Sequence, residues 1–224
     1  MTKIIEDRSL RDKFFVFRDR EEAGEILAKM LEDYKDSDAI VLGIPAGGVP
    51  VASIIAEKLN LTLDVLVVSK VTLPWNREAG YGAVAFDGTI KLNQKLIDSL
   101  GLTGEEIEEG VRETLQKVKR RVRIFRGDKP PLELRNRTII VVDDGLASGY
   151  TMLTALDALR RAGAAKIIVA VPTANLDAIK RIEDRADLVY SPNIRQAYPY
   201  AVADAYKNWS DVSEEEVRRI LQGS

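Results

Sequence analysis

Two adjacent carboxylates, Asp143 and Asp144, stand between an apolar run, Ile139-Ile140-Val141-Val142, and a small-residue turn, Gly145-Leu146-Ala147-Ser148-Gly149-Tyr150-Thr151. The run reads as a parallel strand buried on both faces. The turn leads into the helical spacing Met152, Leu153, Leu156 and Leu159. Such a junction aims backbone N–H groups and the positive end of a helix dipole at one spot, with hydroxyls from Ser148 and Thr151 beside them, and so holds a phosphate. Acids at the strand's carboxyl end accept hydrogen bonds from sugar hydroxyls or hold a hard cation. Cradle and acid pair together predict a sugar-phosphate site. The bland alternative is an ordinary strand-to-helix turn with a solvated acid pair.

Other candidates lie where further strands end. Ala39-Ile40-Val41-Leu42-Gly43-Ile44 reads as a strand running into Pro45-Ala46-Gly47-Gly48-Val49-Pro50. Its adjacent glycines let backbone amides approach an anion closely, although simple helix entry explains the turn equally well. A second buried strand, residues 63–69, ends at Lys70, and a loop over residues 71–80 carries Trp75, Asn76, Arg77 and Glu78. Arg77 is that loop's only cation, and an exposed Trp75 suits a lid better than an idle linker, although packing onto the body is equally cheap.

Composition narrows the chemistry. The 224 residues include no cysteine and no histidine. Disulfides, thiol nucleophiles and the usual general base and zinc ligand are therefore missing. What survives is chemistry run by carboxylates, lysine, arginine, backbone amides and a hard divalent cation. Thirty-three basic against 35 acidic residues leave a net charge of −2, which gives no global argument for nucleic acid or a membrane as partner. No apolar stretch approaches the roughly 20 residues that span a bilayer, and a signal-peptide core is absent, so a cytoplasmic location is expected.

The positioning elements follow from periodicity. Ala23, Ile26, Leu27, Met30 and Leu31 place an amphipathic helix within residues 20–35. A helix covers about 51–59, short strands lie near 82–86 and 89–92, and 103–126 is the longest helix. Thr103 and Glu106 form its capping box. Acids crowd its start, and Lys117, Lys119, Arg120, Arg121, Arg123 and Arg126 crowd its end, as the macrodipole favours. The basic run is expected to be a solvated helix end. Strands 166–171 and 187–190 flank a helix at 175–183, and Ser213…Glu216 opens a last helix. Alternating strands and helices predict an α/β fold, a doubly wound, mostly parallel sheet flanked by helices, with its ligand at the carboxyl ends of the strands.

The segment 141–151 resembles the signature of the type I phosphoribosyltransferases, which bind 5-phosphoribosyl-1-diphosphate (PRPP). Phe17-Arg18-Asp19-Arg20…Ala23-Gly24, Gly43-Ile44-Pro45…Gly47-Gly48-Val49-Pro50-Val51-Ala52, Gly82-Ala83-Val84 and Val212-Ser213-Glu214-Glu215-Glu216-Val217 are similar to a bacterial and archaeal subgroup of that family. The resemblance implies that Asp143 and Asp144 meet the ribose hydroxyls and lie near Mg2+. It implies that Ala147, Ser148, Gly149, Tyr150 and Thr151 wrap the 5-phosphate. Ala46, Gly47 and Gly48 would hold the diphosphate, with a non-proline cis peptide near Pro45-Ala46. Lys70 would lie beside the diphosphate, and residues 71–80, with Arg77, would form the mobile catalytic loop.

The implied activity is magnesium-dependent transfer of phosphoribose from PRPP to a nitrogenous base. The alternative is a regulator on the same fold that binds PRPP or a nucleotide without turnover, and a phosphatase or hydrolase is the remaining reading. The resemblance further implies a homodimer. It implies one domain over 1–224, with a core at about 36–86 and 136–192. A small hood and helical insertion would come from 87–130, 1–20 and 193–224, with Tyr198, Tyr200 or Trp209 either stacking on a base or anchoring the tail. The chain departs from the family at Ala46 and Ser69, where the subgroup has arginines, so turnover is in question more than binding. Ala147 stands where hypoxanthine–guanine enzymes carry an aspartate base, which disfavours that acceptor.

Overall fold

Hydrophobic strands with both faces apolar can be satisfied only between two layers of helices, and the chain builds that arrangement. The computed structural model describes residues 2–196 and 199–223, with Arg77 and Glu78 described by their backbone only. Its first half runs β1 (Lys3–Ile5), α1 (Arg20–Met30), β2 (Ile40–Gly43), α2 (Gly48–Leu59), β3 (Thr62–Val65), β4 (Val68–Leu73), β5 (Asn76–Ala85), β6 (Ile90–Leu92), α3 (Gln94–Leu100) and α4 (Gly104–Arg126). Its second half runs β7 (Thr138–Val142), α5 (Tyr150–Arg161), β8 (Lys166–Ala170), β9 (Thr173–Asn175), α6 (Leu176–Ile182), β10 (Leu188–Tyr190), β11 (Asn193–Arg195) and α7 (Glu214–Gln222).

The main sheet has six strands in the order β1-β10-β8-β7-β2-β3, all parallel. Successive residues of β7 divide between two cores: Ile139 and Val141 pack with α5 and α6, while Ile140 and Val142 pack with α1 and α2. Side chains alternate across a strand, so an unbroken apolar run is what a two-sided strand requires. The doubly wound sheet is thus as expected.

The predicted strand 63–69 and the loop after it are different in the structure. The strand breaks after Val65, and β4 begins a separate antiparallel sheet, β4-β5-β6. Residues 71–80 are paired in the β4–β5 hairpin, turning at Pro74-Trp75 with register shifts between Val71 and Leu73. Lys70 lies inside β4, opposite Ala83, rather than at a strand end. The alternation of buried Val71 and Leu73 with Lys70 and Thr72 is the strand period, which the polar residues beyond it obscured. Helix α4 lies across this hairpin, joining Val118 and Phe125 to Val71, Leu73, Tyr81 and, from α7, Val217 and Leu221.

Helix α4 carries its full capping box, Thr103 and Glu106. At α7 only half forms: Ser213 accepts from the Glu216 amide. The basic end of α4 is not simply solvated. Arg121 is buried, and Arg126 pairs with the buried Asp64 at 3.2 Å. Charge spacing along a helix cannot distinguish water from a protein carboxylate as the partner.

Candidate functional site

Parallel strands deliver their carboxyl ends to one edge, and the loops after β2 and β7 meet there with β4 and α4. They enclose a cavity of about 370 Å³ lined by Pro45, Ala46, Gly47, Ser69, Lys70, Lys117, Arg121, Asp143, Asp144, residues 145–149 and Thr151 among others.

The loop after β7 is held at both ends and open in the middle. Leu146 bridges to Ala174 of β9: its amide donates to Thr173 O at 2.9 Å, and its carbonyl accepts from Asn175 N at 2.8 Å. From α6, Arg181 donates to Ser148 O and its guanidinium lies 5.0 Å from the Tyr150 ring centroid. Gly149, at φ +80°, is the residue before α5 and accepts from Leu153 N at 2.8 Å. Among the described residues, the amides of 147–152 make no hydrogen bond. A helix N-terminus with this many unsatisfied donors is a ready anion site.

The acid pair is more constrained than its sequence suggests. Arg20, the first residue of α1, donates to Asp144 Oδ2 through Nε at 3.0 Å and Nη2 at 2.8 Å. Arg20 is itself held by Ser210 O at 2.8 Å and lies 4.0 Å from the Trp209 ring centroid. The Tyr206 ring lies between Phe17 and Trp209, tilted to each at 46° and 43°, and its hydroxyl donates to Asp144 O at 2.6 Å. Asp143 turns back to accept the Asp144 amide at 2.9 Å. Burial, reinforced by the Asp144 charge, pushes the Asp143 carboxyl well above the ordinary carboxylate range. Burial also raises Asp144, against the opposing pull of Arg20.

Across the cavity, the Pro45-Ala46 peptide is cis. Gly47 is required by proximity, since a Cβ there would stand 1.9 Å from Asp144 Oδ2. At Gly48 a Cβ would stand 2.6 Å from Val142 O, and the Gly48 amide already donates to Ile44 O at 3.0 Å. Gly48 opens the first turn of α2, with its amide bonded back to Ile44. Its glycine signal comes from close packing against β7.

Asp143, Asp144, Ala46, Gly47, Ser148, Thr151 and Lys70 thus meet in one cavity, with Ala147 and Gly149 in its wall. Tyr150 instead points toward Arg181. The Arg77 side chain and Tyr198 lie outside the described residues. Arg20, Arg181, Tyr206, Lys117 and Arg121 are contributions that sequence reasoning did not assign. Arg20 stood in a recognised segment, but nothing local marks a carboxylate 124 residues away as its partner.

Residues 20–204 match the family model "Phosphoribosyl transferase domain". The chain belongs to the phosphoribosyl transferase family. The chain is 35% identical, over 92% of its length, to the candidate phosphoribosyl transferase Rv0571c of Mycobacterium tuberculosis H37Rv, and the match covers 46% of that protein. The chain therefore spans about half the length of that curated relative. It is 32% identical to the "Bifunctional protein PyrR" of Corynebacterium glutamicum over 63% of this chain and 56% of that protein. The crystal structure of TT1426 from Thermus thermophilus superposes with a TM-score of 0.74 at 33% identity, covering 92% of this chain and 98% of that one. The sheet and its helices are thus those of a phosphoribosyl transferase.

Among the described residues, no group of three His, Cys, Asp or Glu side chains is placed to hold a metal ion. The donors present are two carboxylates, one already paired with Arg20. That set suits Mg2+, which is commonly held by one or two carboxylates with substrate phosphates and water completing the shell. No helix of the described residues is long and apolar enough to cross a membrane.

Proposed function

We propose that this phosphoribosyl transferase moves a 5-phosphoribosyl group from PRPP to a nitrogenous base, releasing diphosphate, with Mg2+ accompanying the donor. The observation that carries this reading is the run of amides at 147–152, unbonded among the described residues, in a segment whose residues 147–149, 151 and 152 line the same cavity as Asp143 and Asp144.

The 5-phosphate would sit on the amides of 147–151, with the Ser148 and Thr151 hydroxyls beside it. Asp144, oriented by Arg20, and Asp143 would accept the ribose hydroxyls. Asp143 and Asp144 would help hold Mg2+ brought with the donor, which would supply charge neutralisation at the diphosphate. Lys70 and the Gly47 backbone would face the leaving group. The C1–O bond breaks with its electron pair departing on the diphosphate. A ring nitrogen of the acceptor would then form the new bond to C1, its proton passing to the departing diphosphate or to water. Little of this needs a protein base, which fits a chain without histidine. The rate would come from positioning and from neutralising developing charge.

Diphosphate release from PRPP, followed across a panel of bases with Mg2+, tests the proposal. Release with at least one base, reduced in Asp144→Asn, supports it. The uncharged Ala46 and Ser69 favour a second reading, binding without turnover. Calorimetric PRPP binding with no release under any base would select that reading.

A further inference from the structure

One wall of the cavity is built from a part of the chain outside the parallel sheet. Helix α4 packs over the loop after β2, where Ala46 joins the apolar cluster containing Val118 and Phe125. Residues 117 and 121 are one helical turn apart and share a face, and both line the cavity together with Lys70, Ala46 and Ser69.

Arg121 is 8% exposed, and its Nη1 stands 3.5 Å from Pro45 O, the carbonyl of the cis peptide. Its Nε lies 3.2 Å from Glu214 Oε1, and this buried Nε makes no hydrogen bond. Arg120 draws on the same Glu214 carboxylate at 2.9 Å. Burial, then the charges of Arg121, Arg120 and Lys70, hold the Lys117 ammonium below the usual lysine range, with Glu214 opposing. Among the described residues, Arg120, Arg121 and Lys117 thus gather around the single carboxylate of Glu214. An anionic ligand lying between Arg121, Lys117 and Lys70 would offset the repulsion among these clustered cations.

We propose that Lys117 and Arg121 of α4 are the diphosphate-binding cations of this chain. They supply, from α4, charge that Ala46 in the loop after β2 and Ser69 in β4 lack. This rests on the reading of the cavity as a PRPP site and adds which residues recognise the part of the donor that leaves.

The test is calorimetric titration of the full chain with two probes, PRPP with Mg2+ and ribose 5-phosphate. Both share the 5-phosphate and the sugar, and only PRPP carries the diphosphate. Lys117→Gln, which lies at the surface of the cavity and leaves the core intact, should lose about ten- to a hundredfold in PRPP affinity, the range for one charge-assisted contact. Its ribose 5-phosphate affinity should stay within about twofold, inside the scatter usual for surface substitutions. Arg121→Lys should lose PRPP affinity in the same selective way, with unfolding by urea confirming the fold. Equal losses for both probes, or none for either, would overturn the assignment of α4. A wild-type chain that binds neither probe would instead overturn the PRPP reading itself.

Discussion

Gly47 offers a sharp perturbation, because its effect should pass entirely through a neighbouring side chain. Its backbone is helical, φ −63° and ψ −29°, so alanine is conformationally welcome and should gain about 0.5–1 kcal/mol from lower unfolded-state entropy. The new Cβ, however, would occupy a point 1.9 Å from Asp144 Oδ2 and 2.5 Å from Cγ. Asp144 must rotate away and give up both bonds to Arg20. Breaking a buried ion pair typically costs about 3–5 kcal/mol. Here the partners are 12% and 15% exposed, and the displaced carboxylate can turn toward the cavity. A loss of about 2–3 kcal/mol, at or just below the bottom of that range, is therefore expected. Net destabilisation of Gly47→Ala should be about 1–2.5 kcal/mol after the backbone gain.

A double-mutant cycle with Asp144→Ala isolates the effect by urea unfolding. In that background the obstacle is gone, and Gly47→Ala should stabilise by about 0.5–1 kcal/mol. The change of sign is the signature. Equal destabilisation in both backgrounds would refute the steric account and return Gly47 to a purely backbone role.

Further outcomes follow from the same geometry. Arg20→Gln leaves Asp144 without its partner and should cost about 3 kcal/mol in urea unfolding at pH 7, with a smaller cost in acid as Asp144 protonates. Asp143 behaves in the opposite sense: its folded-state carboxyl is raised by burial and by Asp144, so the folded state binds the proton more tightly than the unfolded chain. Its unfavourable contribution is absent below the ordinary carboxylate range, grows as pH rises toward the raised value, and is complete above it. Asp143→Asn should therefore be more stable than wild type at pH 8, with the gap closing toward pH 4, as measured by urea midpoints across that range. Gly149→Ala forces a side chain onto φ +80° with Cβ 3.2 Å from Ala178 O. It should cost about 1–2 kcal/mol in stability, and calorimetry should show a larger loss in ribose 5-phosphate affinity.

What the sequence determined by itself was local. The apolar run at 139–142 had to be a two-sided strand, the residues after it had to turn and enter a helix, and Thr103 with Glu106 had to open a helix, because strand period, turn chemistry and capping act over a few neighbouring residues. The family likeness rode on the same short segments. It also marked the Pro45-Ala46 peptide, which is cis in the structure.

The hairpin at 71–80 escaped, because its pairing depends on a partner strand and not on its own polar residues. Tertiary structure alone decided what each charge faces. Arg20 reaches Asp144, Tyr206 reaches the Asp144 carbonyl, and Arg121 leaves an apparently solvated helix end to lie against the Pro45 carbonyl. A charged residue carries the same code on a helix whether it meets water or a buried carboxylate. Only the way helices α1 and α4 pack against the sheet edge settles which one it meets.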